Sequence, residues 1–323
     1  MVAHLGSQLV KALITGAAGM IGRKLTERLA GKHDLILHDI VSADPRSIVS
    51  DLSAPGEAQK LVASRPDVIF HLAAIVSGEA EADFEKGYRI NLDGTRRLFE
   101  AIRKEGGDYK PRVVFASSIA VFGAPFPEAI GDEFVNAPLT SYGTQKTICE
   151  LLLSDYSRKG FLDGIGLRLP TICVRPGKPN LAASGFFSGI IREPLAGQEA
   201  VLPVPETVRH WFASPRAAIE FLIHSSRLKT EELGARRNLS MPGISATVGE
   251  QIEALRKVAG EKAVKLIRRQ PDATIVRIVE GWPRNFDTKR ALALGFRADK
   301  SFEEIIRIHL EDERIPAPRA GSA

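Results

Sequence analysis

Tyr142 is followed four residues on by Lys146, in the stretch SYGTQK. The other three tyrosines, at 88, 109 and 156, have Leu92, Val113 and Gly160 at that spacing. Residues four apart on a helix share one face. A phenol titrates at about 10, and an adjacent ammonium favours its phenolate. A Tyr–Lys pair of this kind can therefore take a proton from a substrate hydroxyl at neutral pH. Upstream, the run VVFASS ends in Ser117 and Ser118. A serine there can hold the same substrate hydroxyl by hydrogen bond while hydride leaves the carbon. Ser118, Tyr142 and Lys146 are the candidate catalytic residues.

Such chemistry needs a hydride acceptor, and the N-terminal segment LVKALITGAAGMIGRKL is suited to hold one. Gly16, Gly19 and Gly22 lie between a strand-like run and a helix-like one. They suit a tight turn, a close backbone approach to a pyrophosphate, and tight packing of helix on strand. The next apolar run ends in Asp39, at the distance the dinucleotide fingerprint requires. A carboxylate there accepts from the adenosine ribose hydroxyls and repels an added phosphate. No arginine follows in His38-Asp39-Ile40-Val41, so NAD is expected rather than NADP. Asp51 and Leu52 are candidates for adenine contact.

The elements that must position these residues follow an alternating plan. Apolar runs at Val10–Thr15, Leu35–Asp39, Val68–Leu72, Val113–Ser117 and Ile165–Leu169 read as strands. Helical segments at Ile21–Leu29, Ala58–Ala63, Phe84–Glu105 and Tyr142–Ser157 lie between them. Strands apolar throughout and alternating with helices imply an α/β fold, a doubly wound Rossmann-type parallel sheet with ligands at the carboxyl ends. From about Cys173 the texture becomes irregular and proline-punctuated. Residues 1–172 are read as the dinucleotide domain, with 212–240 returning to it, and 173–323 as a smaller α/β substrate-binding lobe. In the second half of the chain Ala217–Ser226, Val248–Val258 and Phe302–Glu311 read as helices and Thr274–Ile278 as a strand.

Composition excludes several classes. The chain has 323 residues, two cysteines and a net charge of +5. Its basic residues are scattered, and the doublets Arg236-Arg237 and Arg268-Arg269 are too short for a nucleic-acid tract. A modest positive balance suits an anionic small substrate. Seven histidines and two cysteines show no metal-ligand spacing, so no metal is expected. The absence of a membrane-length apolar run or a leader-like N-terminus makes a cytoplasmic chain the expectation.

The motifs TGAAGMIG (15–22), HLAA (71–74), NLDGT (91–95), SSIAVFG (117–123), YGTQK (142–146) and FDTKRALALGF (286–296) run in one order along the chain. Together they resemble the extended short-chain dehydrogenases/reductases, the NAD-dependent epimerase/dehydratase family. The resemblance implies that Tyr142 is the catalytic base, that Lys146 binds the nicotinamide ribose, and that Ser118 orients the substrate. It implies further cofactor contacts at Met20, Ile21, Leu72, Ala73, Ala74, Ser77, Asn91 and Pro170, and a homodimer paired through Phe84–Glu105 and Tyr142–Ser157.

Departures from the family pattern are as informative. Dehydratases carry an Asp-Glu pair where this chain has Ile119 and Ala120, which speaks against dehydration. Nucleotide-sugar members read like RYFN where this chain has Arg168-Leu169-Pro170-Thr171, and VRDYIHVxD where it has VRHWFASPR. The set is most similar to dehydrogenases of four-carbon sugar acids, which implies oxidation of a C2 hydroxyl to a 2-keto acid. Arg175, Lys178 and Arg209 are candidates to clamp the carboxylate. Ser77, Ser118, Tyr142 and Thr171 are further substrate candidates, and a structural role is expected of His210. The alternatives are a nucleotide-sugar epimerase that retains its NAD and a non-catalytic dinucleotide sensor.

Overall fold

The computed structural model describes residues 9–42, 44–177 and 184–316. Twelve strands form in chain order: β1 Lys11–Thr15, β2 Asp34–Asp39, β3 Ile48–Val49, β4 Val68–His71, β5 Arg112–Ser118 and β6 Asp163–Leu169, then β7 Thr171–Ile172, β8 Ala200–Leu202, β9 Arg209–Ala213, β10 Asn238–Ser240, β11 Ile244–Thr247 and β12 Ile267–Arg269. The first half contributes helices α1 Met20–Leu29, α2 Glu57–Val62, α3 Ser77–Ala82, α4 Phe84–Gly87, α5 Gly94–Glu105 and α6 Ser141–Arg158. The second contributes α7 Gly185–Leu195, α8 Pro215–Arg227, α9 Val248–Ala259, α10 Glu261–Val264, α11 Ala273–Glu280, α12 Lys289–Ala293 and α13 Phe302–Asp312.

Seven strands form one sheet in the order β10-β6-β5-β4-β1-β2-β3, every pair parallel. Its strands are apolar because both faces are covered. Leu25 and Leu29 of α1 and Phe221 and Leu222 of α8 pack on one face. Leu61 of α2, Leu98 and Phe99 of α5 and Leu153 of α6 pack on the other. The strand order reverses between β1 and β4, where a doubly wound sheet opens a crevice at its carboxyl edge. The lobe has its own core, joining Phe187 of α7, Phe212 of β9, Ile252 of α9 and Ile305 of α13. The division is not a single cut in the chain. After the short sheet β11-β9-β7 has begun, α8 and β10 return to the large sheet, where Leu239 pairs with Leu167.

Two segments differ from the sequence-based expectation. Phe84–Glu105 is not one regular helix: α4 and α5 are separated by a π-helical turn, Tyr88–Asp93. That turn frees the Asn91 carbonyl to accept from Thr95 Oγ1 and Cys149 Sγ, and lets the Asn91 side chain reach the loop after β4. Thr274–Ile278 lies in α11 rather than a strand, because Asp272 Oδ1 caps the helix by accepting from the Thr274 and Ile275 amides. Ile275, Val276 and Val279 then face the lobe core at helical spacing.

Two histidines are sealed inside this framework. His71 bridges Thr15 Oγ1 (2.7 Å) and Thr95 Oγ1 (2.9 Å), and His210 contacts Thr171 Oγ1. Burial pushes both down to about 3 from the ordinary value. Between about 6.5 and 3 the unfolded chain binds protons that the folded chain refuses. Their contribution is thus complete above about 6.5 and is lost as the pH falls, at up to about 1.4 kcal/mol per unit per histidine. Urea midpoints should drop steadily from pH 7 to pH 5, with a shallower slope in His210→Gln; an unchanged midpoint would contradict the buried, neutral assignment.

Candidate active site

Ser118 ends β5 at the carboxyl edge of the sheet. Its Oγ accepts from the Ala120 amide at 3.1 Å, which leaves the hydroxyl proton free to donate. Helix α6 starts beside it. Thr140 Oγ1 caps the helix by accepting from the Gly143 amide, and Glu81 accepts from the Ser141 amide. A side chain at Gly143 would overlap the Ala120 carbonyl. The glycine after Tyr142 therefore lets the start of α6 approach the turn after Ser118. Sequence reading missed that role, although the glycine lies inside the motif.

Tyr142 and Lys146 face the cavity one helical turn apart. Lys146 is 3% exposed, and its ammonium donates to the Ala116 carbonyl at 2.8 Å. It lies 5.6 Å from the Tyr142 ring centroid and 4.8 Å from that of Phe115. An ammonium has three donors; the contact to Ala116 fixes one and leaves two for a ribose hydroxyl and the tyrosine side.

One turn further along α6, Glu150 is buried against Arg168 of β6. Glu150 Oε1 accepts from Ser117 Oγ (2.6 Å) and Arg168 Nε (3.0 Å). Its Oε2 accepts from Arg168 Nη2 (2.8 Å) and Asn136 Nδ2 (2.9 Å). Arg168 also lies over the Phe122 ring at 4.9 Å. This network was not singled out from the sequence; its only signal is the repeat of four from Tyr142 to Lys146 to Glu150.

At the switch point, the Gly16 and Ala17 amides donate to the His38 carbonyl at 2.9 and 3.1 Å. Asp39 Oδ2 accepts from the Ala18 amide at 2.9 Å, so the acid sits against the glycine turn. A Cβ on Gly22 would overlap the Gly16 carbonyl, which accounts for close packing of α1 under the turn. Gly19 precedes α1, and no side chain caps the helix. Its first amides are free for a diphosphate, and these residues fit a dinucleotide. Met20 and Ile21 form the first turn and pack on the core below. Leu72, Ala74, Ser77 and Pro170 line the adjoining cavity, while the Ala73 backbone abuts Gly16.

Three expected cofactor residues are placed indirectly. The Asp51 carboxylate is committed to the Ser53 amide and hydroxyl and to Arg89. Leu52 is buried in the core under α2 and α5. Asn91 is 2% exposed; its side chain accepts from the Ile75 amide and donates to Gln145 Oε1, so it holds the loop after β4 from behind.

The cavity next to Tyr142 has a volume of about 610 Å³. Ser77, Ser118, Tyr142, Lys146, Thr171 and Arg175 all contribute to its wall. Arg175 is held by its amide to Ser188 Oγ and by Nε to the Ile172 carbonyl, and no carboxylate among the described residues pairs with it. Burial pushes its guanidinium below the ordinary arginine range, while Tyr142 pulls the other way. Lys178 lies outside the described residues. Arg209 is not a wall residue: its guanidinium donates to the Ser245 carbonyl and pairs with Glu250. Strand alternation explains this, since neighbours in β9 point to opposite faces, and His210 takes the cavity position instead. Arg277 and Trp282, from α11 and the turn after it, also line the cavity. Neither was singled out from the sequence, where Arg277 fell within the expected strand Thr274–Ile278.

Among the described residues no helix is long and apolar enough to cross a membrane. The family model described as "NAD dependent epimerase/dehydratase family" matches residues 12–212. A D-erythronate dehydrogenase of Cupriavidus necator is 46% identical over 94% of this chain and 98% of that protein. A second, of Haemophilus influenzae, is 43% identical over 94% and 99%. A crystal structure described as the nucleoside-diphosphate-sugar epimerase from Agrobacterium tumefaciens is 65% identical, covers 97% of both chains and superposes with a TM-score of 0.92. With its glycine turn, acid, Ser–Tyr–Lys edge and full-length likeness, the chain belongs to the NAD-dependent epimerase/dehydratase family.

Proposed function

We propose that this chain is an NAD-dependent dehydrogenase of small sugar acids, with D-erythronate as substrate and the corresponding 2-keto acid as product. The observation that carries the reading is Arg175: a half-buried guanidinium without an acidic partner among the described residues, in the same cavity as Ser118, Tyr142 and Lys146. An arginine fork matches a carboxylate by two parallel hydrogen bonds. The two D-erythronate dehydrogenases, similar along nearly the whole chain, support the same substrate.

The residues divide the work. Arg175 holds the carboxylate and so fixes the distance from C1 to the reacting C2 hydroxyl. Ser118 donates to that hydroxyl oxygen, with one of its own two lone pairs engaged by the Ala120 amide. Tyr142 takes the hydroxyl proton as the carbonyl forms, and the Lys146 ammonium supplies positive charge beside it. Glycine turn, α1 terminus and Asp39 hold NAD, which when bound supplies the hydride acceptor. Ile119 and Ala120 line the cavity and offer no acid or base for loss of water.

The second reading, a nucleotide-sugar epimerase, is favoured by the description of the Agrobacterium tumefaciens structure. Thr171 and His210 stand against it, replacing the asparagine and the acid of nucleotide-sugar members. For the assembly we propose a homodimer through α4 and α6, on the strength of the exposed apolar side chains Phe84 and Leu151; the proposed location is cytoplasmic.

Mixing the protein with NAD and D-erythronate should raise absorbance at the NADH band. Tyr142→Phe should lower turnover by about a hundredfold or more while NAD binding by calorimetry stays close to wild type. No NADH from any four-carbon acid, together with NAD released only on denaturation, would transfer the assignment to the epimerase. Arg175→Leu should raise KM for D-erythronate by at least about tenfold, corresponding to a lost charge-assisted pair, with KM for NAD little changed.

A further inference from the structure

Two of the positions that depart from the nucleotide-sugar pattern, Thr171 and His210, touch each other. Thr171 Oγ1 and His210 Nε2 are 2.6 Å apart, on β7 and β9, and both line the cavity. The imidazole is 3% exposed and boxed by aromatic rings. It lies parallel to Phe187 at 5.2 Å, with Phe212 and Trp282 each at 5.4 Å. The Pro283 backbone lies beside His210 without a hydrogen bond to Nδ1 in good geometry, and Thr171 is the side chain whose hydroxyl contacts the ring nitrogen. A ring confined on three sides cannot turn to suit its partner, and burial keeps it uncharged.

A threonine hydroxyl has one donor and two lone pairs, and its proton ordinarily rotates to suit whatever approaches. With one valence fixed by a ring that cannot move, the remaining valences of Thr171 point in set directions. A substrate held only by its carboxylate and its C2 hydroxyl could present either face of C3 equally well. A third directional contact is required to tell C3 epimers apart.

Resting on the sugar-acid reading above, we propose that the Thr171–His210 pair is the stereochemical gauge of the site: Thr171 Oγ1 hydrogen-bonds the C3 hydroxyl of the acid, and His210 holds Thr171 in the orientation that only one C3 configuration meets. His210 is a positioning residue and does not touch substrate. An acid with the opposite configuration leaves the fixed hydroxyl unpaired in the cavity wall once the substrate has displaced water, and an unpaired polar group is the stronger of the two penalties available to a specificity pocket.

The test is kcat/KM of the full chain with NAD on three acids: D-erythronate, its C3 epimer L-threonate, and 2,4-dihydroxybutanoate of the same C2 configuration, which lacks the C3 hydroxyl. Thr171→Val should lose ~10- to 100-fold on D-erythronate. That loss should exceed the loss on the deoxy acid by about tenfold or more, so that discrimination against both other acids collapses. Thr171→Ser should retain most of the wild-type preference. His210→Phe, which keeps an aromatic ring in the box but removes the nitrogen, should relax the preference although Thr171 is present, and it serves if Thr171→Val does not fold. Equal losses on all three acids in Thr171→Val, or wild-type discrimination in His210→Phe, would overturn the proposal. Failure of the sugar-acid reading would show separately, as a wild-type protein that oxidises none of the three.

Discussion

The buried ion pair between Glu150 and Arg168 sets the position of everything at the reacting edge. Taking two charges out of water costs on the order of several kcal/mol per ion, so such a pair persists only where its hydrogen bonds are complete. Here both carboxylate oxygens accept two donors, drawn from β5, β6 and the loop carrying Asn136. Sliding α6 by one turn would strand both charges. The pair thus acts less as a source of stability than as a register pin, and the residues it registers are Lys146 and Tyr142, one and two turns earlier on the same helix. Ser117 ties the pin to β5, one residue before Ser118. Two strands and a loop converge on one carboxylate.

The parts of the molecule that follow from periodicity were legible in the sequence. Five apolar runs announced five strands of the large sheet, since a strand covered on both faces must be apolar on both. The glycine turn, Asp39 and the Tyr–Lys spacing each express a local requirement that one residue type meets. What was not legible depended on choices that local pattern leaves open. The run around Ile275 has the β-branched residues of a strand and the spacing of a helix, and the Asp272 cap decided for the helix. Nothing in Phe84–Glu105 marks the π turn, because its cause is a partner 54 residues away, Gln145 against Asn91. Arg209 was chosen for its charge; in a strand whose neighbours alternate, charge does not decide which of two adjacent residues meets the cavity.

The site is built from two independent pieces of framework. The reacting edge, with Ser118, Tyr142 and Lys146, belongs to the large sheet and its helix. The facing wall of the cavity, with Thr171, Arg175 and His210, belongs to the small sheet β11-β9-β7 and the segment after it. Residues of the wall can therefore change without disturbing the register of α6.

The return of the chain to the large sheet has a consequence for how the molecule is made. β10, the outermost strand on one side, comes from residues 238–240, yet it closes an edge opened by β6 some seventy residues earlier. During synthesis on the ribosome the hydrogen-bonding edge of β6 stays open until most of the small sheet has also emerged. The large sheet is consequently finished only by sequence made after β7, β8 and β9 of the smaller sheets. A nascent chain halted anywhere between these strands carries an unpaired strand edge, which is the kind of surface that chaperones cover and that aggregates grow from.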